Sequence, residues 1–281
     1  MFLASDLDRT LIYSRKAMEQ LNGSVPRDLR CVEVYENENF CFTTSQAGLL
    51  IDTLLREKLL VPVTTRTQEQ YGRIQLSRSY VPEWAVTCNG AVVLRNGEVD
   101  TEWDFHIKKR LAESSLSIFE MEQLIEPFLS SDWFVKKRTA ESWFIYMIVK
   151  QENLLSETVE SLRTLARKHQ WQLSVQGRKL YLIPDCINKA NALSYVCDRM
   201  KMNSFIGAGD SLLDKPLVES AAVSFIPSHG ELFGQLKSGK YVNSRIRVTR
   251  SGGVFSGEEI LAGASEKLGV RPDTLELKPA G

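Results

Sequence analysis

The run Met1-Phe2-Leu3-Ala4-Ser5-Asp6-Leu7-Asp8-Arg9-Thr10 decides how the rest of the chain is read. Residues 1–5 are apolar or small and suit one short buried strand, and two carboxylates one residue apart follow it directly. The two-residue period sends Asp6 and Asp8 out on the same side at the strand's end, where open α/β sheets bind ligands. Two close acids repel unless a cation or a shared proton neutralises them, and hard oxygen ligands without a nearby His or Cys favour Mg²⁺. An Asx turn, with Asp8 capping the next segment, would account for the same pair without chemistry.

Working outward, short apolar runs alternate with helical periods, the signature of a doubly wound, Rossmann-like α/β core with a mostly parallel sheet. Leu49, Leu50, Ile51, Leu54 and Leu55 give a helix over 45–58 its apolar face, and a strand over 60–63 follows. Residues 84–99 read as a hairpin, because Asn96-Gly97 is the pair a type I′ turn prefers. The pattern then changes to αββαββ: a helix over 109–129, strands over 133–141 and 142–150, a helix over 154–169, and strands over 171–176 and 179–183. Such a unit forms a small α+β domain inserted in the larger one, which places the core at 1–101 and 184–281 and the insertion at 102–183. Beyond it come a helix over 189–201, a strand over 205–207, a helix over 212–220, a strand over 222–226 and a helix over 257–268. The connection over 12–44 is long for a βα link. A connection of that length is either functional or disordered; its alternating runs CVEVY and FCFTT predict a small hairpin, and a surface flap without chemistry is the plain alternative. The tail 275–281 is expected to fray.

Composition narrows the function classes. The 281 residues carry 35 basic and 35 acidic side chains, so no bulk attraction to nucleic acid or anionic membrane is expected. With 43% hydrophobic residues the chain fills real cores, and its length fits roughly two domains. Cys31, Cys41, Cys88, Cys186 and Cys197 are odd in number and never spaced C-x-x-C, so they read as free thiols. The N-terminus lacks the basic and long apolar regions of a signal peptide, and the apolar run 143–149 is too short to span a bilayer. A soluble cytoplasmic protein is expected.

Three further elements carry chemistry. Thr64-Thr65-Arg66-Thr67 ends the strand over 60–63, offering hydroxyls and free N–H groups at a strand-to-helix junction. Lys189 starts a helix, where its ammonium adds to the positive helix end and suits a phosphate. Gly209-Asp210-Ser211-Leu212-Leu213-Asp214 follows a core strand, with glycine allowing close backbone approach and two more carboxylates four apart. Each alone has a plain reading as a helix cap, a solvated lysine or a turn.

In this order, the four elements resemble the haloacid dehalogenase-like phosphatase superfamily. Its Asp-x-Asp-x-Thr motif is matched by Asp6-Leu7-Asp8-Arg9-Thr10, its second motif by Thr64, its third by Lys189, and its Gly-Asp-x-x-x-Asp motif by residues 209–214. The αββαββ insertion and Cys88-Asn89-Gly90-Ala91 are similar to the subgroup of sucrose-phosphate, trehalose-phosphate and Cof-type phosphatases. Arg9 departs from the usual glycine, and Leu213 from a common asparagine. The run over 6–14 is more weakly similar to superfamily members found with bacterial tellurite-resistance and stress gene clusters.

The resemblance implies a phosphomonoester hydrolase acting on a small phosphorylated metabolite such as a sugar phosphate. It makes Asp6 the nucleophile, Asp8 the general acid and base, and Thr64, Thr65 and Lys189 the phosphate holders. It also implies Mg²⁺ held by Asp6, the backbone carbonyl of Asp8, Asp210 and Asp214. Asn89 and Arg66 are possible substrate contacts. A phosphomutase of the phosphomannomutase type and a non-catalytic phosphate-binding regulator are the other readings. In the cap, Lys136, Lys137, Arg138, Arg178 and Lys179 are read as solvated strand ends, and Trp143, Phe144 and Tyr146 as packing its sheet on its helices. His106, His169 and His229 are read as structural, and RSGGVFSG (250–257) as a loop.

Overall fold

The computed structural model describes residues 1–129 and 132–271; the segment 275–281, expected to fray, lies outside the described residues. At its centre is a five-stranded parallel sheet in the order Ile246–Val248, Val223–Ile226, Ile206–Ala208, Leu3–Ser5, Leu60–Pro62. Parallel strands covered on both faces read as continuous apolar runs, and Leu3–Ser5 is buried at every position. Leu3 faces the helices Ser45–Arg56 and Val254–Leu268, packing with Leu50, Ile51, Leu54, Ile260 and Leu261. Phe2 and Ala4 face the opposite way, toward Ala192, Leu193 and Val196 of Lys189–Met200 and Leu217 and Val218 of Lys215–Ser220. From the central strand the chain winds to Leu60–Pro62 on one side and to Ile206–Ala208 on the other. The crevice between these directions, at the carboxyl ends, is the ligand-binding position of a doubly wound sheet.

The inserted cap is a four-stranded antiparallel sheet in the order Trp171–Gln176, Lys179–Pro184, Phe144–Val149, Phe134–Ala140. Its core joins Ile145, Met147, Leu180 and Leu182 to Met121 and Ile125 of Ile118–Ile125 and Leu162 and Ala166 of Ser156–Lys168. Strand alternation therefore sends Phe144, Tyr146 and Tyr181 to the other face. The expectation that Phe144 and Tyr146 pack against the cap helices is thus overturned: they line the cleft below the cap. Trp143 precedes the strand, joins the main core and lies 5.9 Å beneath the Lys108 ammonium.

The single helix expected over 109–129 is two, Thr101–Ser114 and Ile118–Ile125. Ser117 and Glu120 form a reciprocal capping box that starts the second, and the Ser-x-x-Glu spacing that signals it stands in the sequence. The first helix packs on the core, its Trp103 indole donating to the Gly90 carbonyl at 3.1 Å. A helix Glu231–Lys237 and the edge strand Ile246–Val248 are additions to the expected elements. The run 250–257 is a loop only to Gly253, after which the last helix begins.

Asn96 and Gly97 both have positive φ, 52° and 84°, as a type I′ turn requires, and Trp84–Thr87 adds a third strand to that hairpin. The flap is likewise a three-stranded sheet, with Tyr13–Ser14 pairing to Glu38–Thr44 and Glu38–Thr44 to Leu29–Tyr35. No helix among the described residues is long and apolar enough to cross a membrane.

Candidate active site

The crevice opens into a cleft of about 840 Å³ between the sheet ends, the cap and the flap. At its floor, Asp6 leaves the central strand with its N–H donating to the Ala208 carbonyl at 2.9 Å. Lys189 Nζ donates to Asp6 Oδ1 at 2.6 Å and to Asp214 Oδ1 at 2.5 Å, and Thr10 Oγ1 donates to Asp6 Oδ2 at 3.2 Å. Lys189 is fully buried, and a buried ammonium survives only when paired. Burial works against its charge, but Asp214 and Asp6 outweigh burial and hold its basicity above the ordinary value.

The acids outnumber that cation. Asp6, Asp210 and Asp214 each bring a carboxylate oxygen within 4.8 Å of the others. Burial and Asp214 push the Asp6 carboxyl up to about 7, against the pull of Lys189 and with a further push from Asp8. Burial, Asp214 and Asp6 likewise raise Asp210 well above the carboxylate range. Buried, oxygen-only and under-compensated in charge, this donor set fits a hard divalent cation such as Mg²⁺.

Asp214 differs from the other two. Its Oδ2 accepts from Asp210 N (3.2 Å), Ser211 N (2.9 Å) and Ser211 Oγ (2.8 Å), and its Oδ1 holds Lys189. Both oxygens are engaged, so Asp214 anchors the loop and the lysine. Gly209 is required beside it, since a Cβ there would lie 2.4 Å from the Asp214 Cβ. Leu213 is buried in the main core and offers no oxygen to the site. Arg9 adopts φ 62°, the left-handed region that favours glycine, and its Nε lies 3.6 Å from Asp210 Oδ2.

The other candidates separate. Thr65 lines the cleft. Thr64 is fully buried at the strand end, its Oγ1 accepting from Arg66 N at 3.1 Å. Asp8 lines the same cleft but stands outside the three-acid cluster, and it is held by Arg66 through two bonds, Nε–Oδ2 and Nη2–Oδ1, both 2.7 Å. Asn89 is 1% exposed and directs Nδ2 to the Ile187 carbonyl at 3.4 Å, bracing the chain just before Lys189; it does not line the cleft.

Of the cap's basic residues, Lys179 lines the cleft, 5.7 Å above the Tyr146 ring. Desolvation lowers its basicity; Asp8 opposes this, and Arg66 and Arg138 add to it. Lys137 instead pairs with Glu122 at 3.0 Å on the cap helix. His229 donates and accepts locally, with Nε2 on the Arg9 carbonyl and Nδ1 taking the Gly253 N–H, both at 3.0 Å.

Sequence reasoning leaves a functional role for the flap open but names none of the flap residues that enter the site. Tyr35, Phe40 and Cys41 line the cleft, and Glu33, 1% exposed, bonds Arg66 Nη1 at 2.8 Å and Arg73 Nε at 3.2 Å. The pairing register shifts on both sides of Glu33, so alternation within CVEVY carries no signal of its inward turn.

No family profile and no curated protein sequence matches the chain. Solved structures do. The sucrose-phosphatase from Synechocystis sp., solved with sucrose and phosphate, is 19% identical, with a TM-score of 0.62 over 94% of this chain and 98% of that one. A haloacid dehalogenase-like hydrolase from B. subtilis is 15% identical, with a TM-score of 0.56 over 95% of this chain and 100% of that one. A trehalose-6-phosphate phosphatase related protein is 17% identical, with a TM-score of 0.50 over 96% and 98%. The chain has the fold of the haloacid dehalogenase-like hydrolases, cap included.

Proposed function

We propose that the protein is a phosphomonoester hydrolase, dependent on Mg²⁺ or a similar cation, acting on a small phosphorylated metabolite with residues 102–183 as its cap. The observation that carries this reading is the setting of Asp6: a strand-end carboxylate gripped by Lys189 at 2.6 Å beside two further buried acids.

An oxygen of Asp6 attacks phosphorus, and the bond from phosphorus to the ester oxygen breaks as that oxygen takes a proton from Asp8. Water then attacks the aspartyl phosphate, gives a proton to Asp8, and releases inorganic phosphate and the Asp6 carboxylate. Lys189, Thr64 and the Thr65 N–H hold the phosphoryl oxygens as charge builds on them. Asp6, Asp210 and the Asp8 carbonyl would hold the cation, with Asp214 behind them. When bound, it supplies neutralising charge that favours both the ionised Asp6 and the phosphoryl group.

A sugar phosphate is the substrate class we favour. The cleft wall joins aromatic faces, Phe144, Tyr146 and Tyr181 from the cap and Tyr35 and Phe40 from the flap, to the amides of Gln70, Gln151 and Gln176. That mixture suits a hydroxylated ring. The bound sucrose and phosphate of the Synechocystis enzyme support the same class.

The test is phosphate release from a panel of sugar phosphates, nucleotides, phosphoglycerates and an aryl phosphate, with Mg²⁺ or EDTA, alongside Asp6→Asn. Release that needs Mg²⁺ and is lost in the variant is expected. Interconversion of hexose phosphates without release would establish a mutase instead.

A further inference from the structure

We infer that the flap carries a positioning residue for proton delivery: Glu33 fixes the plane of the Arg66 guanidinium, and through it the carboxyl of Asp8. The inference rests on the hydrolase reading, in which Asp8 protonates the departing oxygen.

Arg66 is a planar fork whose donors point in fixed directions. Its Nε and Nη2 edge is spent on Asp8, and the remaining Nη1 reaches Glu33 Oε2 at 2.8 Å. With three nitrogens committed to two carboxylates, the guanidinium keeps no rotation of its own, and Asp8 is held in one orientation at the wall of the cleft that Asp6 also lines. Arg73 occupies the other Glu33 oxygen and packs 4.6 Å over the Tyr35 ring, so Glu33 is itself clamped.

The backbone is shaped to bring this carboxylate inward. The register of Leu29–Tyr35 against Glu38–Thr44 shifts on both sides of Glu33. There Glu33 stays opposite Cys41 on the partner strand and also bridges to Ile74, with Gln75 N donating to the Val32 carbonyl at 2.7 Å. Anchoring the flap does not need this pair. Arg30 and Asp52 already form a two-bond pair at 2.8 and 3.1 Å to the helix Ser45–Arg56, and Thr44 Oγ1 meets Glu258 at 2.7 Å on the last helix. A buried charge costs stability unless paired, and this one is placed against the only guanidinium that holds Asp8 among the described residues.

The experiment compares kcat/KM for two monoesters in each enzyme: a hexose 6-phosphate, whose alkoxide needs a proton to leave, and p-nitrophenyl phosphate, whose nitrophenolate leaves without one. Because kcat/KM reports only the steps up to leaving-group departure, the later attack of water does not enter. The ratio of the two values is independent of the fraction of folded enzyme. In Glu33→Gln the ratio of hexose to aryl ester is expected to fall roughly 10- to 100-fold, the scale of a misplaced catalytic group. If Glu33→Gln does not fold, Glu33→Asp, which withdraws the charge by one methylene, is expected to lower the ratio in the same direction. An unchanged ratio, with both values falling together or neither falling, overturns the inference and leaves the hydrolase reading intact. Wild-type enzyme that releases phosphate from no monoester of the panel overturns both.

Discussion

Lys189 and Asp6, 183 positions apart in the chain, meet at 2.6 Å in the interior, and the same ammonium also serves Asp214. One buried ammonium thus stands among three acids, with only the half-exposed Arg9 near the third, 3.6 Å from Asp210, and the consequences are measurable.

Replacing Lys189 with Met would leave Asp6 and Asp214 facing each other without their ammonium. Removing one partner of a buried ion pair costs about 3–5 kcal/mol, so the thermal midpoint is expected to fall by roughly 10 °C or more. Differential scanning calorimetry checks this, and a midpoint within a degree or two of wild type would contradict the buried pairing.

Asp6→Asn acts in the opposite direction on stability. The folded chain holds the Asp6 carboxyl up to about 7, so its ionised form is disfavoured by folding and its stabilising proton is lost as pH rises through that value. Without divalent cation at pH 8, the neutral Asp6→Asn variant should therefore melt at or above the wild-type temperature, while hydrolysis falls by at least about 10³-fold. A lower melting temperature in cation-free buffer would argue that Lys189 needs the Asp6 charge more than the acids resent it.

Gly209→Ala tests the close approach beside Asp214. The added methyl would stand 2.4 Å from the Asp214 Cβ, and overpacking of this kind costs typically about 1–3 kcal/mol. The loop that sets Asp210 must shift, so phosphate release should be lost along with stability. Retention of full activity would mean that Asp214 can move freely.

His229 gives a pH signature. Burial lowers its basicity, the bond to the Arg9 carbonyl opposes this, and the Arg9 charge adds to it. The folded state therefore takes up a proton less readily than the unfolded chain. Stability is expected to fall as pH drops below the ordinary histidine value near 6.5, because the imidazolium can no longer accept from the Gly253 N–H. Thermal midpoints of wild type and His229→Gln between pH 7 and 5 check this: the wild type should lose more, and parallel curves would contradict it.

Much of the fold is legible in the sequence because local and global signals agree. Five small or apolar residues before Asp6 suit a buried strand, and Asn96-Gly97 demands the turn it makes. The strand Ile246–Val248 escapes because three residues set among arginines make no apolar run. The helix expected over 109–129 runs through Ser117 because helical periodicity continues across it, although the capping box is written there. Phe144 and Tyr146 fall on the wrong face for want of one alternation count, since Ile145 and Met147 already claim the helices. At the site, the candidate acids and Lys189 stand beside strand ends and can be named. Glu33 cannot, because a register shift, not a motif, turns it inward.

The span between Lys189 and Asp6 also bears on the order of folding. Asp6 follows strand Leu3–Ser5, whose pairing with Ile206–Ala208 spans a similar stretch of chain, and contacts this distant in sequence must first meet a large loop-closure entropy. The mutual repulsion of the acids is then loaded only near the native state. A cation that relieves it should slow unfolding and leave the refolding rate almost untouched. In that case Mg²⁺ acts as a lock on the finished protein, and stopped-flow folding and unfolding rates measured with and without it would diverge on the unfolding limb alone.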